Sequence, residues 1–174
     1  MKNTEFNLQP DFLQDDITKL IPLKETDFDA LFQIASDPLL WEQHPIKDRY
    51  KKEVFQTFFD AALDSKSGFV IVDATTNEII GTTRYYDYKS ESSSIAIGYT
   101  FLDRKYWGGP HNKSNKKLLI DYAFEYVNSI FFHIGAENFR SQKAVLKLGA
   151  TKVNEMNFPP TADGILHFEY ELVK

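Results

Sequence analysis

The residues able to do chemistry fall in two stretches. In the first, Lys113, Lys116 and Lys117 follow the turn-forming run Tyr106-Trp107-Gly108-Gly109-Pro110-His111-Asn112. An apolar repeat begins just beyond, so these lysines open a helix. Cations at that end forgo roughly 0.3–1 kcal/mol of favourable dipole interaction. Unpaired amides, flexible glycines and nearby lysines together make a phosphate site. The same residues would also make an ordinary turn with solvated charges. In the second stretch, Trp41, Glu42, His44 and Arg49 share one loop. An unperturbed histidine titrates near neutrality. Glu42 and His44 are therefore candidates for proton transfer, and Trp41, Glu42, His44 and Arg49 together for holding a reaction partner. A plain surface loop pinned by Trp41 is the competing reading.

The flanking elements must position these groups. Ile95, Ile97, Tyr99 and Phe101 alternate with Ala96, Gly98, Thr100 and Leu102, which predicts a strand with one large apolar face and one mostly small face. Leu118, Leu119, Tyr122, Ala123, Tyr126, Val127 and Ile130 recur at helical spacing, with Asn112 as the expected N-cap. Ile130 to Ile134 reads as a buried strand. Strand, phosphate-binding turn, helix and strand make a βαβ unit. Asn138 is placed to cap a second helix, with Ala144, Val145 and Leu148 as its stripe and Gly149 as its stop.

Upstream, Ile17 to Leu23 reads as a strand, and Thr26 as the cap of a short helix through Phe28, Leu31, Phe32 and Ala35. Val54 to Leu63 gives another helix, stopped around Gly68. Phe69 to Asp73 and Ile79 to Tyr86 form a hairpin. Thr151 to Met156 and Leu166 to Val173 close the chain as a second hairpin, turning through Pro159 to Gly164. The predicted order is strand, two helices, three strands, helix, strand, helix, two strands. This is an α/β (α+β) chain with a mixed sheet and helices on both faces, in one domain spanning 1–174 with residues 1–16 as an N-terminal arm.

Three motifs, in this order and spacing, resemble the GNAT family of acyl-CoA N-acyltransferases. They are Ile97-Gly98-Tyr99-Thr100-Phe101-Leu102, then Tyr106-Trp107-Gly108-Gly109, then Asn138-Phe139-Arg140-Ser141 leading into Ala144 to Ala150. The branch that is similar contains the ribosomal-protein N-terminal acetyltransferases. The resemblance implies a mostly antiparallel sheet with splayed central strands, and acetyl-CoA as cosubstrate. Its pantetheine would lie along Thr100, Phe101 and Leu102 as an added strand. Its pyrophosphate would rest on Trp107, Gly108, Gly109, His111, Asn112, Lys113 and Ser114, with Asn138 and Ser141 facing it from the second helix. The implied reaction is acetyl transfer to a primary amine, of a protein N-terminus or a small molecule. Ser141 would protonate the leaving thiolate, and Glu42 or His44 would take the amine proton.

This chain departs from the family pattern at Pro110 and Asn112, which implies a reshaped cradle because proline removes an amide donor. Ala96 stands where many relatives carry a carboxylate. These departures keep a second implication open, a non-catalytic acyl-CoA-binding sensor or interaction module. A generic nucleotide-binding α/β protein is disfavoured, because there is neither a P-loop lysine motif nor a dinucleotide fingerprint.

Composition narrows the classes. With Cys 0, disulfides, zinc–thiolate sites and cysteine nucleophiles are excluded. The four histidines show no paired metal-ligand spacing, so no metal is expected. A net charge of −5 argues against nucleic acid and mildly favours a cationic amine as partner. No apolar run has the length of a membrane span, and the N-terminal stretch lacks the features of a signal peptide. Cytoplasmic location is the expectation, and a homodimer stays open.

Overall fold

The computed structural model describes residues 5–11, 13–159 and 164–174. Its strands are β1 (Leu13–Gln14), β2 (Thr18–Pro22), β3 (Gly68–Asp73), β4 (Ile79–Lys89), β5 (Ser94–Leu102), β6 (Ser129–Gly135), β7 (Thr151–Phe158) and β8 (Ile165–Val173). Its helices are α1 (Phe28–Ala35), α2 (Lys52–Asp64), α3 (His111–Ala123) and α4 (Phe139–Lys147). The strands form one sheet in the order β1-β2-β3-β4-β5-β6-β8-β7. Every neighbouring pair is antiparallel except β5 and β6.

Strand β3 is buried along its whole length, and its alternation feeds two cores. Phe69 and Ile71 join Leu20, Ile95, Leu119 and Ile130 on one face. Val70 and Val72 join Leu31, Trp41, Phe55 and Phe59 on the other. Helices α1 and α2 thus cover one side of the sheet, and α3 covers the opposite side. Phe6 of the N-terminal arm is buried against α3, with its ring stacked on Tyr126 at 4.6 Å.

Two features of the central strands shape the site. Pairing between β5 and β6 runs only from Ser94↔Ser129 to Ala96↔Phe131. Past that point the strands part, and Ile97 to Leu102 presents an unpaired backbone edge. The β4–β5 ladder also shifts register between Thr82/Phe101 and Arg84/Gly98. The residue at this bulge is Tyr99, whose φ of 53° lies in the left-handed region. Arg84 stacks 3.6 Å from the Tyr99 ring and holds it there. The bulge breaks the expected alternation. Ile95 and Ile97 pack with α3, whereas Tyr99 and Phe101 pack with α1 and α2. Thr100 is thereby turned toward α3.

Local expectations need correction at several points. Asn112 does not cap α3; it lies inside the first turn, and Pro110 occupies the cap position. Thr26 lies in a 3₁₀ turn, where Asp27 accepts the Lys24 amide at 2.8 Å instead. Helix α3 ends at Ala123, so Tyr126 and Val127 belong to the following turn. Gly68 begins β3 rather than ending α2. By contrast, Asn138 does cap α4, accepting the Ser141 amide at 3.3 Å, and Gly149 follows it with φ 93°. The closing hairpin forms, but Pro160 to Asp163 of its turn lie outside the described residues.

Candidate active site

Two cavities meet where β5 and β6 part. The first, of about 680 Å³, lies between the end of β5, the turn before α3 and the start of α4. Thr100, Phe101, Leu102, Trp107, Gly108, Gly109, Asn112, Lys113, Asn138 and Ser141 line it. So do Lys116, Arg140, Lys143 and Lys147, and among the described residues no aspartate or glutamate lines it. In a chain of net charge −5, this is a local excess of positive charge. Arg140 lies 3.7 Å over the Trp107 ring, which ties α4 to the glycine turn. Gly108 has φ 74°, a conformation glycine adopts without strain.

Sequence reasoning missed Arg140, Lys143 and Lys147. Their spacing of three and four residues on α4 is a readable signal, because it puts all three on one helix face.

The second cavity, of about 450 Å³, lies on the other side of the splay. Its walls are the open edges of β5 and β6, the loop carrying Trp41, His44 and Arg49, and the end of β7. Trp41 is buried, donates from Nε1 to the Ala35 carbonyl at 2.8 Å and meets Phe101 edge-on, so it fixes this loop. Arg49 is only 6% exposed, and its guanidinium stacks on Phe58 at 4.6 Å and Trp41 at 5.2 Å. Burial pulls its pKa down to about 10, which leaves it charged at neutral pH. Tyr86, His133 and Glu169 form a chain on the facing wall. Tyr86 Oη lies 2.6 Å from His133 Nδ1, and His133 Nε2 lies 2.7 Å from Glu169. The carboxylate accepts from Nε2, so Nδ1 is left to accept the tyrosine hydroxyl.

The cavities share Trp41, His44, Thr100, Phe101, Asn112, Lys116, Asn138, Ser141 and Ala144. Lys116 is the unusual member. It is 7% exposed, and its Nζ donates to Thr100 Oγ1 at 2.6 Å. Among the described residues no carboxylate forms an ion pair with it. Burial alone brings its pKa down to about 7. Half-neutral lysine is a usable proton acceptor, with Thr100 taking one N–H and the lone pair left for the cavity.

The Acetyltransferase (GNAT) domain model matches residues 18–151. The chain belongs to the GNAT acetyltransferase family. An uncharacterized N-acetyltransferase p20 of Bacillus licheniformis is 31% identical over 107 residues, 59% of this chain and 60% of that protein. The shared stretch thus spans about three fifths of that relative's length. A spermidine N-acetyltransferase of Vibrio cholerae, solved with CoA and spermine, superposes with a TM-score of 0.70 at 12% identity, covering 91% of this chain and 96% of that one. RimJ of Mycobacterium smegmatis, solved with a CoA-disulfide, gives 0.68 at 16% identity, covering 90% of this chain and 81% of that one. These structural likenesses establish the fold.

Within this GNAT domain, several expected site residues sit elsewhere. His111 lines neither cavity; its Nε2 lies 2.7 Å from Asp73, whose carboxyl is held at about 2 by the Thr76 amide and by His111. Ser114 is also turned inward, donating to the Asp15 carboxylate and touching Thr18. Both side chains fasten the start of α3 to the sheet. Glu42 is exposed and lines neither cavity. His44 does line both, but it does not titrate near neutrality. Burial, followed by the Arg49 charge, holds its pKa at about 3. Its Nδ1 already accepts the Ile46 amide at 2.9 Å, so the neutral ring carries its proton on Nε2, facing Arg49 at 3.3 Å. Lys117 points outward and pairs with Asp121.

Among the described residues no helix is long and apolar enough to cross a membrane, and no group of metal-ligating side chains is gathered.

Proposed function

We propose that this protein transfers the acetyl group of acetyl-CoA to a primary amine by direct attack within a ternary complex. The observation that carries this reading is the meeting of two cavities at the parted strands, one of them lined by basic residues without an acid. Acetyl-CoA occupies the first. Its phosphates face Lys113, Lys143, Lys147 and the amides of the glycine turn, and its pantetheine follows the free edge of β5. The amine enters from the second cavity.

In this reading the amine nitrogen attacks the thioester carbonyl carbon at the junction. The new C–N bond forms, the C–S bond breaks, and sulfur leaves with the electron pair. A free N–H on the open β5 edge polarises the carbonyl oxygen. Lys116 Nζ takes the amine proton, and Ser141 Oγ–H hydrogen-bonds the departing thiolate. Proton acceptance falls to Lys116 rather than to His44 or Glu42, because only Lys116 combines a free lone pair, a place at the junction and a pKa near the working range.

Two-substrate initial-rate kinetics test the scheme. With acetyl-CoA and a primary amine varied together, the double-reciprocal lines should intersect, as both substrates must be bound at once. Parallel lines would instead require an acetylated enzyme and would overturn direct attack.

A further inference from the structure

We propose that the acceptor carries a carboxylate beside its amine, and that Arg49 binds it: an amino acid with an apolar or aromatic side chain. This rests on the transfer reading above and names its second substrate. The acidic composition favours a cationic partner, but the wall of the acceptor cavity does not. Among the described residues, its charged lining residues are Arg49 and Lys116, and no aspartate or glutamate lines it. Its histidines are His44, His133 and His167. Glu169 approaches only through His133, whose N–H its carboxylate already accepts. Asp48, next to Arg49, is exposed and sits 3.9 Å from Lys51. A polyamine would therefore bring several charges to a wall where no described residue supplies a carboxylate.

Arg49 is the converse case. Among the described residues, the Arg49 guanidinium, at 6% exposure, has no carboxylate partner; it stacks on Trp41 and Phe58 and lies 3.3 Å from His44 Nε2. Its hydrogen-bonding edge lacks the forked acceptor that such a group matches best. His44 is held neutral, so it adds no second charge to compete for the same anion. Tyr86, Tyr99, Phe132, Phe158 and Ile165 supply an apolar lining for the side chain. With its carboxylate on Arg49, the acceptor can direct its amine toward Lys116 and Thr100, which line the junction.

The test compares L-phenylalanine, L-phenylalaninamide and 2-phenylethylamine as acceptors for the wild-type chain. Initial rates are measured alongside calorimetric binding to the CoA complex. The amide is the less basic amine, so its larger free-base fraction works against the expected result. We expect kcat/KM and binding to favour the free acid by on the order of ten- to hundred-fold. Arg49→Met should abolish that preference and Arg49→Lys should keep part of it, with CoA affinity unchanged in both. Equal rates and equal binding for the three compounds would overturn the carboxylate site while leaving acetyl transfer intact. Selective binding of the free acid without turnover would support the site and count against the transfer reading. Preferred acetylation of spermidine over all three would overturn the proposal.

Discussion

Replacing Lys116 by methionine is expected to lower kcat/KM by about 10²–10⁴-fold, the range that positioned acid–base groups contribute. The wild-type rate should rise with pH through about 7, as Lys116 loses its proton, and rise again as the acceptor amine becomes neutral. The variant should keep only the second rise. Lys116→Arg is the sharper control, because guanidinium retains positive charge but cannot give up its proton in this range. If Lys116 acted only through its charge, arginine would restore the rate. Stability supplies an independent reading. Between about 7 and 10.5 the unfolded chain holds a proton on Lys116 that the folded chain does not, so this group makes wild-type stability rise with pH across that window. That contribution should vanish in Lys116→Met. A variant with the wild-type rate profile and the wild-type stability profile would remove Lys116 from the chemistry.

The second large effect is expected at Gly81. A Cβ built there would sit 2.0 Å from the Phe101 carbonyl oxygen and 3.1 Å from Leu102 Cα. Both obstacles are backbone, so no side chain can rotate to make room. Gly81→Ala must push β4 from β5 just where the cofactor cavity begins, at a cost of about 1–3 kcal/mol or more. At the usual ~2–4 °C per kcal/mol for a chain of this size, the melting temperature should fall by roughly 2–12 °C. CoA affinity should drop with it, since Phe101 and Leu102 wall that cavity. Gly108→Ala is the useful contrast: nothing lies within 4 Å of its Cβ, and only the left-handed φ of 74° opposes it. It should cost about 1 kcal/mol. Equal melting temperatures for the two variants would show that close packing at Gly81 is not what holds the strands together.

Much of this architecture was legible because it depends on local signals. That β5 is a strand, that a helix follows the glycine turn, and that Asn138 and Gly149 bound α4 are readings of short-range patterns. The strand parting was implied only by family resemblance, since loss of pairing beyond Ala96 depends on how β5 and β6 approach one another. The bulge at Tyr99 was invisible, because a one-residue register shift leaves the pattern of apolar and small residues unchanged while reversing the faces of Thr100 and Phe101.

The candidate site divides in the same way. Residues read from the glycine turn and the strand end line the first cavity, because backbone path alone puts them there. The side chains of His111 and Ser114 turn inward because helical rotation, not position in the chain, decides which first-turn side chains face the sheet. His44 was misjudged as a titrating group because its burial and its neighbour Arg49 are tertiary facts. Lys116 read as one of three phosphate-seeking lysines. Only the fold separates them: Lys113 lines the cofactor cavity, Lys117 pairs with Asp121 outside, and Lys116 reaches Thr100 inside.

The proposed reaction passes an acetyl group from thioester to amine where the two cavities join. Its most direct measurement is a single turnover with acetyl-CoA labelled in the acetyl carbonyl, mixed with excess enzyme and L-phenylalanine. One equivalent of free CoA thiol is expected for each equivalent of labelled N-acetyl product. Neither should form at an appreciable rate when the amine is left out. Acetyl-CoA that binds with its label intact, whatever amine is supplied, would contradict it and make this GNAT domain an acyl-CoA-binding module.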